Sequence, residues 1–517
     1  MEFQLLKDEY WWGGLIKDAE RMPIDDTWVY TADLLCDRRT QSSPLFISSK
    51  GRYIWSEEPY TITFDKGRVS IKSDYPVVLE EAGSTLREAY LAAMKAHFPF
   101  KAGIHTPREF YEHPQFNTWM ELIKDQSQEK ILKYAHEIID HGYNPGILMI
   151  DDGWQIRQGV WEFNHDLIKD PKAMVDELHS LGFTVLIWVT PFVCPEGDTF
   201  LELYSSRSSE NIAGSRNLNH LIRNKDGEVS IQNWWGGCCA SYNFMLPDDR
   251  AHMAAQLDHL MKDYGFDGFK FDGGTNLPSN FINGREFLDG VSVTDINKAW
   301  VDFGSGYKFH EFKDTWKQGG KPVIQRLFDK HHAWKGNGID CLIPHGCFCG
   351  LIGCPFICPD MVGGGEWTAF VYGGHDEELF LRMAECSALF PMMQFSSLPW
   401  RYLSENGQKV CLEMARLHER MYPEIEAILT ETEKTGEPII RTMEYQFPSH
   451  GYEKVNSQFM LGENILVAPV INKGETVKKV YLPEGDWEEQ NDGRVYHGGR
   501  IVEVPAPLER LPYFRKV

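Results

Sequence analysis

Several carboxylates stand where an apolar run gives way to a loop. Asp151 and Asp152 end GILMI, Asp272 ends GFKF, and Asp360 ends CPFICP ahead of MVGGGEW. Asp329 lies three residues past PVIQR (322–326). Singly, each reads more readily as a solvated loop acid or a helix N-cap than as a catalytic group. Gathered on one face, they suit glycoside hydrolysis with retention. That reaction needs two carboxyl groups ~5–5.5 Å apart, one attacking the anomeric carbon, the other protonating the leaving oxygen and then activating water. The attacking group must stay ionised. Lys270, two residues before Asp272, shares its face of a strand, and a nearby ammonium favours the charged carboxylate. The acid partner is expected to have its pKa raised by burial and by the neighbouring negative charge. Trp154, Trp188, Trp234, Trp235, Trp334 and Trp367 fall in or near the same strand ends. They are candidate walls for a sugar, with packing at a barrel rim as the plainer reading.

Such a face requires a scaffold of parallel strands. From about residue 112, apolar runs alternate with helical segments. GILMIDDGW follows EKILKYAHEIIDHG, TVLIWVTPF follows KAMVDELHSLG, GFKFDGG follows RAHMAAQLDHLMKDYG, and PVIQR follows FHEFKDTWKQGG, read as a helix. Glycine closes each helical segment, a C-terminal signal. Repeated β–α alternation implies a parallel sheet. The run to residue 405 is about 290 residues, which suits an α/β fold of the (β/α)8 TIM-barrel type, whose active sites lie at the C-terminal strand ends. A doubly wound sheet is the alternative, but no Gly-rich phosphate loop follows a first strand. Residues 1–111 carry short strand-like stretches (WVYTADLL, SPLFISS, TITFD, RVSIK) between turn residues and read as an N-terminal β-sandwich. Residues 406–517 read as a helix, VCLEMARLHERMYPEIEAIL, followed by a C-terminal β-sandwich domain.

The chain has 517 residues, 42% hydrophobic and 25% charged, enough for two to four domains with sizeable cores. Its 16 Trp, 21 Tyr and 30 Phe suit a cleft that stacks sugar rings, or simply a large core. A net charge of −23 repels phosphate backbones, so no nucleic-acid partner is expected. No run of about 18 apolar residues exists, so no membrane span is expected. The first residues, MEFQLLKDEYWW, lack an apolar leader core, which points to a cytoplasmic protein unless a leader has been removed. Of 11 cysteines, Cys347, Cys349, Cys354 and Cys358 cluster in CFCGLIGCPFIC without paired CxxC spacing. Reduced, packed thiols are expected in place of a metal site or disulfides.

IDDGWQ, WVTPFV, FKFDGG and GLIGCPFICPDMVGGG together resemble glycoside hydrolase family 31, in order and spacing over the whole chain. The resemblance implies a retaining enzyme with no cofactor and no metal, acting on an oligosaccharide or glycoside, with Asp272 as nucleophile. It leaves a homo-oligomer open. The acid/base motif W-x-G-D of the α-glucosidase branch is missing, since Trp334-Lys335-Gly336-Asn337 has Asn in place of Asp. Asp329, in QRLFDKHHAW, resembles the arrangement of the α-galactosidase-like branch and is taken as acid/base, with Asp340 as fallback. Asp360 then matches a position that binds sugar hydroxyls, Arg326 one that contacts the sugar and the catalytic centre, and Trp188 a wall. Trp235, in WWGGCCAS, is expected to shape the pocket, and Trp11-Trp12-Gly13-Gly14 resembles a segment that reaches toward the site. His345 is read as a helix-packing residue.

Specificity is read from two differences. The last barrel strand, FPMMQFS, lacks the His of the α-glucosidase branch. Ile150-Asp151-Asp152-Gly153-Trp154 resembles a strand end of retaining α-galactosidases in a related clan, where paired Asp side chains hold O4 and O6. An axial hydroxyl needs an acceptor off the ring plane, and an equatorial epimer leaves that buried acceptor unpaired. An α-galactosidase is therefore favoured, with N-acetylgalactosamine, glucose, xylose or sulfoquinovose as alternatives. A transglycosidase, a lyase or a non-catalytic sugar-binding protein on the same scaffold stays open.

Overall fold

The computed structural model describes residues 1–101, 103–204, 220–234, 236–368 and 374–517. Eight parallel strands form its central sheet: β1 (Gln115–Asn117), β2 (Ile147–Ile150), β3 (Thr184–Val189), β4 (Gly268–Phe271), β5 (Phe309–Phe312), β6 (Gln325–Arg326), β7 (Ile357–Cys358) and β8 (Gln394–Phe395). Consecutive strands pair from β1 to β7, β8 pairs with β1, and an isolated bridge between Met361 and Gln394 joins the β7 and β8 sides. The result is a nearly closed TIM barrel. Helices Gln128–Asp140, Pro171–Ser180, Pro247–His259 and Val293–Gly304 precede β2 to β5. Gly142 and Gly182 stand just past the ends of the first two, and Gly265 closes the π-helical turn Leu260–Tyr264 that continues the third, all with positive φ, which lets the chain reverse into the next strand.

One expectation fails here. FHEF in FHEFKDTWKQGG is β5, and Thr315–Trp316 is a further short strand. The spacing of Phe309, Phe312 and Trp316 mimics a helical stripe. All four residues of β5 are nonetheless buried, because the strand is covered on both faces. Phe312 stacks on Phe271 of β4 outside the barrel at 4.9 Å, while Glu311 points inward to accept from Gln394 Nε2 at 3.0 Å. No helix therefore separates β5 from β6. Thr315–Trp316 instead pairs in parallel with Gln41–Ser42 of an N-terminal sheet.

The N-terminal strands form two sheets. One contains Glu2–Gln4, Val29–Asp33, Thr61–Asp65 and Arg68–Lys72; the other is built around Gln41–Ser48 and Arg52–Ser56. Phe46, Tyr60 and Phe64 pack between them. At the C-terminal end, the expected single helix is two, Glu405–Arg420 and Tyr422–Thr435, since Pro423 lies in the first turn of the second and has no N–H to continue the first. A six-stranded and a two-stranded sheet follow from Ile440 onward. Among the described residues no helix is long and apolar enough to cross a membrane.

His418 in the first of these helices is fully buried, with Nδ1 on the Ala388 carbonyl at 3.0 Å. Burial pushes its pKa from 6.5 down to about 4. Below about pH 6.5 the unfolded chain takes up a proton that the folded one refuses until about pH 4. Stability from this group is therefore lost as pH falls through that window, by up to about 3 kcal/mol. Urea unfolding of His418→Gln at pH 7 and near pH 4.5 is expected to show a smaller acid loss than the parent; equal losses would refute the assignment.

Candidate active site

The period of two along a strand builds the site. Met149, Glu311, Gln394 and Asn117 meet inside the barrel, where Gln394 Nε2 reaches Glu311 and both amides approach the Met149 sulfur. Two residues further along their strands, on the same inward face, come Asp151 and Lys313. Trp188, Lys270 and Glu311 lie side by side in register on β3, β4 and β5, and Asp272 follows Lys270 by two. A cavity of about 290 Å³ opens over these strand ends. Asp151, Lys270, Asp272, Lys313, Arg326 and Asp329 line it, with Trp119, Glu366 and Trp367 on its wall.

Asp272 is half-buried and fully partnered. Its Oδ2 accepts from Trp188 Nε1 at 3.0 Å and its Oδ1 from the Gly273 N–H at 2.7 Å. Burial pushes its pKa up, but the ammonium groups of Lys313 and Lys270 and these two N–H donors outweigh that and hold it below the usual carboxylate range. Lys270 Nζ itself donates to Asp151 Oδ2 at 2.6 Å, a closed buried pair.

Asp329 keeps 29% of its side chain open to the cavity. Lys313 Nζ donates to its Oδ2 at 2.7 Å and Arg326 Nη1 to its Oδ1 at 3.0 Å. Burial works against the charge, yet Lys313 and Arg326 together hold the carboxyl well below its ordinary range. This reverses the expectation of a raised pKa in the ligand-free protein. The reason is Lys313, which escaped the sequence reading because β5 was taken as helix. Lys313 also faces Asp272, so one ammonium serves both acids, and its own pKa is raised despite burial.

Asp360 is placed differently from Asp329. Buried beneath the cavity, it binds Arg326 Nη1 through Oδ1 and accepts from the N–H groups of Lys330 at 2.6 Å and Gly365 at 3.0 Å through Oδ2. In this state it ties two loops together, and the Asp329 side of the cavity does not expose it. At Gly365 a Cβ would stand 2.8 Å from Met361 Cε and 2.9 Å from both Asp329 Oδ1 and Asp360 Oδ1, so any larger residue would have to displace these side chains. Behind the rim, Gln41 Nε2 donates to the carbonyls of Lys313 at 3.1 Å and Arg326 at 3.0 Å, so the N-terminal sheet braces the two strand ends that carry the cations.

Two expected contacts lie off the cavity wall. Trp154 is wholly buried, packs on Phe163 at 4.8 Å, and spends its N–H on the Trp188 carbonyl at 2.9 Å. It supports the Trp188 strand from behind. Asp152 turns outward to Lys124 and to Gln155 Nε2 at 2.7 Å, because successive strand residues face opposite ways. Trp188 does reach the site, with Trp234 stacked on it at 6.1 Å. Trp235 lies outside the described residues. Asp340, the fallback acid, caps the Gly336 and Gly338 N–H groups at 3.2 Å and does not line the cavity. Trp334 donates to Asp376 at 2.9 Å. Trp119 and Glu311 went unnoticed in the sequence; the alternation of β5 was the available signal for Glu311.

Comparison with known proteins follows the same outline. The profile of the glycosyl hydrolases family 31 TIM-barrel domain matches residues 112–317, and that of the glycosyl hydrolase family 31 C-terminal domain matches residues 436–517. Myogenesis-regulating glycosidase of Mus musculus is 30% identical over 422 residues, 78% of this chain and 56% of the relative. An isomaltosyltransferase of Sporosarcina globispora is 25% identical over 398 residues, 67% of this chain and 33% of the relative. The chain thus spans about half or less of the length of these relatives. The Flavobacterium johnsoniae dextranase FjDex31A, solved with glucose, superposes with a TM-score of 0.82 at 19% identity, over 100% of this chain and 66% of that one. The barrel and C-terminal profiles match in the order the fold displays, and the chain belongs to glycosyl hydrolase family 31.

Proposed function

We propose that this protein is a retaining α-glycosidase in which Asp272 is the nucleophile and Asp329 the acid/base. The observation that carries the reading is the shared cavity in which both carboxylates converge on Lys313. Asp272 is ionised and fixed by two N–H donors, as a nucleophile must be. Asp329 is open to the cavity but charged at rest. A sugar hydroxyl competing for Lys313 Nζ, and the water excluded by the sugar, would loosen the ion pair and let Asp329 carry the proton for the leaving oxygen. Once Asp272 becomes a glycosyl ester its charge is gone. Lys313 then favours the ionised Asp329 more strongly, which suits the base of the second step.

Lys313→Met removes the charge that holds both acids down. The acid limb of the kcat profile, set by Asp272, and the basic limb, set by Asp329 once substrate has loosened its ion pair, are both expected to move to higher pH. Activity at neutral pH should fall on the order of 10–100-fold. A profile whose limbs stay in place would remove Lys313 from the proton economy of the site.

The favoured substrate is an α-galactoside. Asp151, paired with Lys270 on the cavity wall, would offer an acceptor and a donor to an axial hydroxyl, while Asp152, turned to Lys124 and Gln155, would take no part. A glucose-configured substrate is the second reading, favoured by relatives named for isomaltosyl transfer and dextran cleavage. A panel of nitrophenyl α-glycosides of galactose, N-acetylgalactosamine, glucose and xylose decides. Galactoside turnover should exceed glucoside turnover by about 10-fold or more. Faster glucoside turnover overturns the sugar assignment, and silence on the whole panel overturns the enzyme.

A further inference from the structure

Behind the loop that carries Asp329, three donors from distant parts of the chain meet. Glu20 comes from the 3-10 turn Ile16–Arg21, Cys341 ends the turn Ile339–Cys341, and His345 lies on the helix Leu342–Leu351. One potential ligand atom of each lies within 4.8 Å of the others, and His345 Nε2 stands 3.2 Å from Glu20 Oε2. Cys341 and His345 are four residues apart, so one helical turn brings them to the same face. Both are buried, at 1% exposure, and the His345 Nδ1 has no hydrogen-bond partner.

We propose that Glu20, Cys341 and His345 form a binding site for a thiophilic divalent cation of the zinc class, separate from the catalytic cavity. Thiolate, imidazole and carboxylate together select zinc over magnesium or calcium. Zinc–ligand bonds of roughly 2.0–2.3 Å place tetrahedral donors roughly 3.3–3.8 Å apart, so small side-chain rotations from the present spacing suffice. In the metal-free protein the Cys341 S–H donates to Asp340 Oδ1 at 3.5 Å, a contact that ends when the thiol is deprotonated. A surface groove lined by Glu20, Cys341, His345, Phe328 and Asn337 provides the entry path and the room for a water as fourth ligand.

The surroundings include cations, and they shape the expected behaviour. Lys330 sits close by, its Nζ on the Phe328 carbonyl at 2.7 Å, with burial pushing its pKa down to about 8. Lys17, Arg39 and His331 also line the groove, and Lys17 is occupied by Asp18 at 2.9 Å. Binding as a thiolate requires Cys341 to give up its proton. A bound ion would pin the N-terminal turn to the barrel helix. Through Phe328, whose ring lies 5.1 Å from that of His345, it would also stiffen the loop bearing Asp329.

The test uses the full chain with cobalt(II) as probe and zinc(II) as stabiliser. One equivalent of cobalt should give a thiolate charge-transfer band and visible d–d bands of a four-coordinate site. Cys341→Ser should abolish the charge-transfer band. Glu20→Ala, at a half-buried position, should weaken binding about 10-fold or more. Zinc should raise the Tm of the parent and not of Cys341→Ser. Absence of the band, or its persistence in Cys341→Ser through another thiol such as the exposed Cys238, overturns the site. None of these readouts depends on glycosidase activity, so failure of the site and failure of the proposed function are separable.

Discussion

Asp272→Ala is expected to abolish turnover of every glycoside the parent cleaves, with kcat falling by about 10⁴-fold or more. The magnitude follows from what the side chain does. As the proposed nucleophile it would supply the bond that replaces the departing glycosidic oxygen, and the other described carboxylates around the cavity are engaged elsewhere, Glu366 with the Thr368 N–H and hydroxyl. Asp151 is closed on Lys270, Asp329 is held by Lys313 and Arg326, and Asp360 lies beneath the cavity in contact with Arg326. The folding cost should be small, because Asp272 is half-buried and its removal frees only the N–H groups of Trp188 and Gly273 beside an open cavity. Azide added to the variant would attack from the vacated side and give the glycosyl azide of inverted configuration. Residual hydrolysis within tenfold of the parent would show that Asp272 is not the nucleophile.

Asp329→Ala should separate substrates by their leaving group. A natural disaccharide needs its departing oxygen protonated, and loss of the general acid costs about 10²–10⁴-fold. A nitrophenyl or fluoride leaving group departs without that proton, so its kcat/KM should survive within about tenfold. The second step still lacks its base, so kcat and KM should fall together as the glycosyl-enzyme accumulates. Azide should then restore kcat and yield a product of retained configuration, the opposite of its product with Asp272→Ala. Intact cleavage of the disaccharide would move the acid/base role elsewhere. Asp340 is a weak successor, since it caps two backbone N–H groups away from the cavity.

These two outcomes rest on features of unequal visibility in the sequence. β2, β3 and β4 announce themselves as apolar runs between amphipathic helices that end in glycine, and the acids closing them follow directly. Lys270 was visible as well, because it stands two residues from Asp272 on a strand already recognised. β5 was not, because its aromatic residues fall at helical spacing, and with it went Lys313 and Glu311. The missing lysine mattered most. Without it, Asp329 looked like a carboxyl beside a negative charge, and its pKa was expected to rise; with it, the ligand-free carboxyl is held down. Trp154 and Asp152 show the opposite error. Both sit at a recognised strand end, but adjacent residues point to opposite faces, and only Asp151 of its pair turns inward. The bracing of β6 by Gln41, and the meeting of Glu20 with His345, are contacts between segments 285 and 325 residues apart. No local pattern encodes them.

The central claim is that Asp272 forms the covalent bond to the sugar. It is tested most directly by incubating the protein with a fluorinated α-galactosyl fluoride, which forms the glycosyl-enzyme quickly and releases it slowly, and then mapping the labelled peptide by mass spectrometry. The account predicts one sugar per chain, attached at Asp272, and no label in Asp272→Ala. A label on Asp151, Asp329 or any other residue, or steady turnover of the probe to the inverted product with no adduct at all, would contradict it.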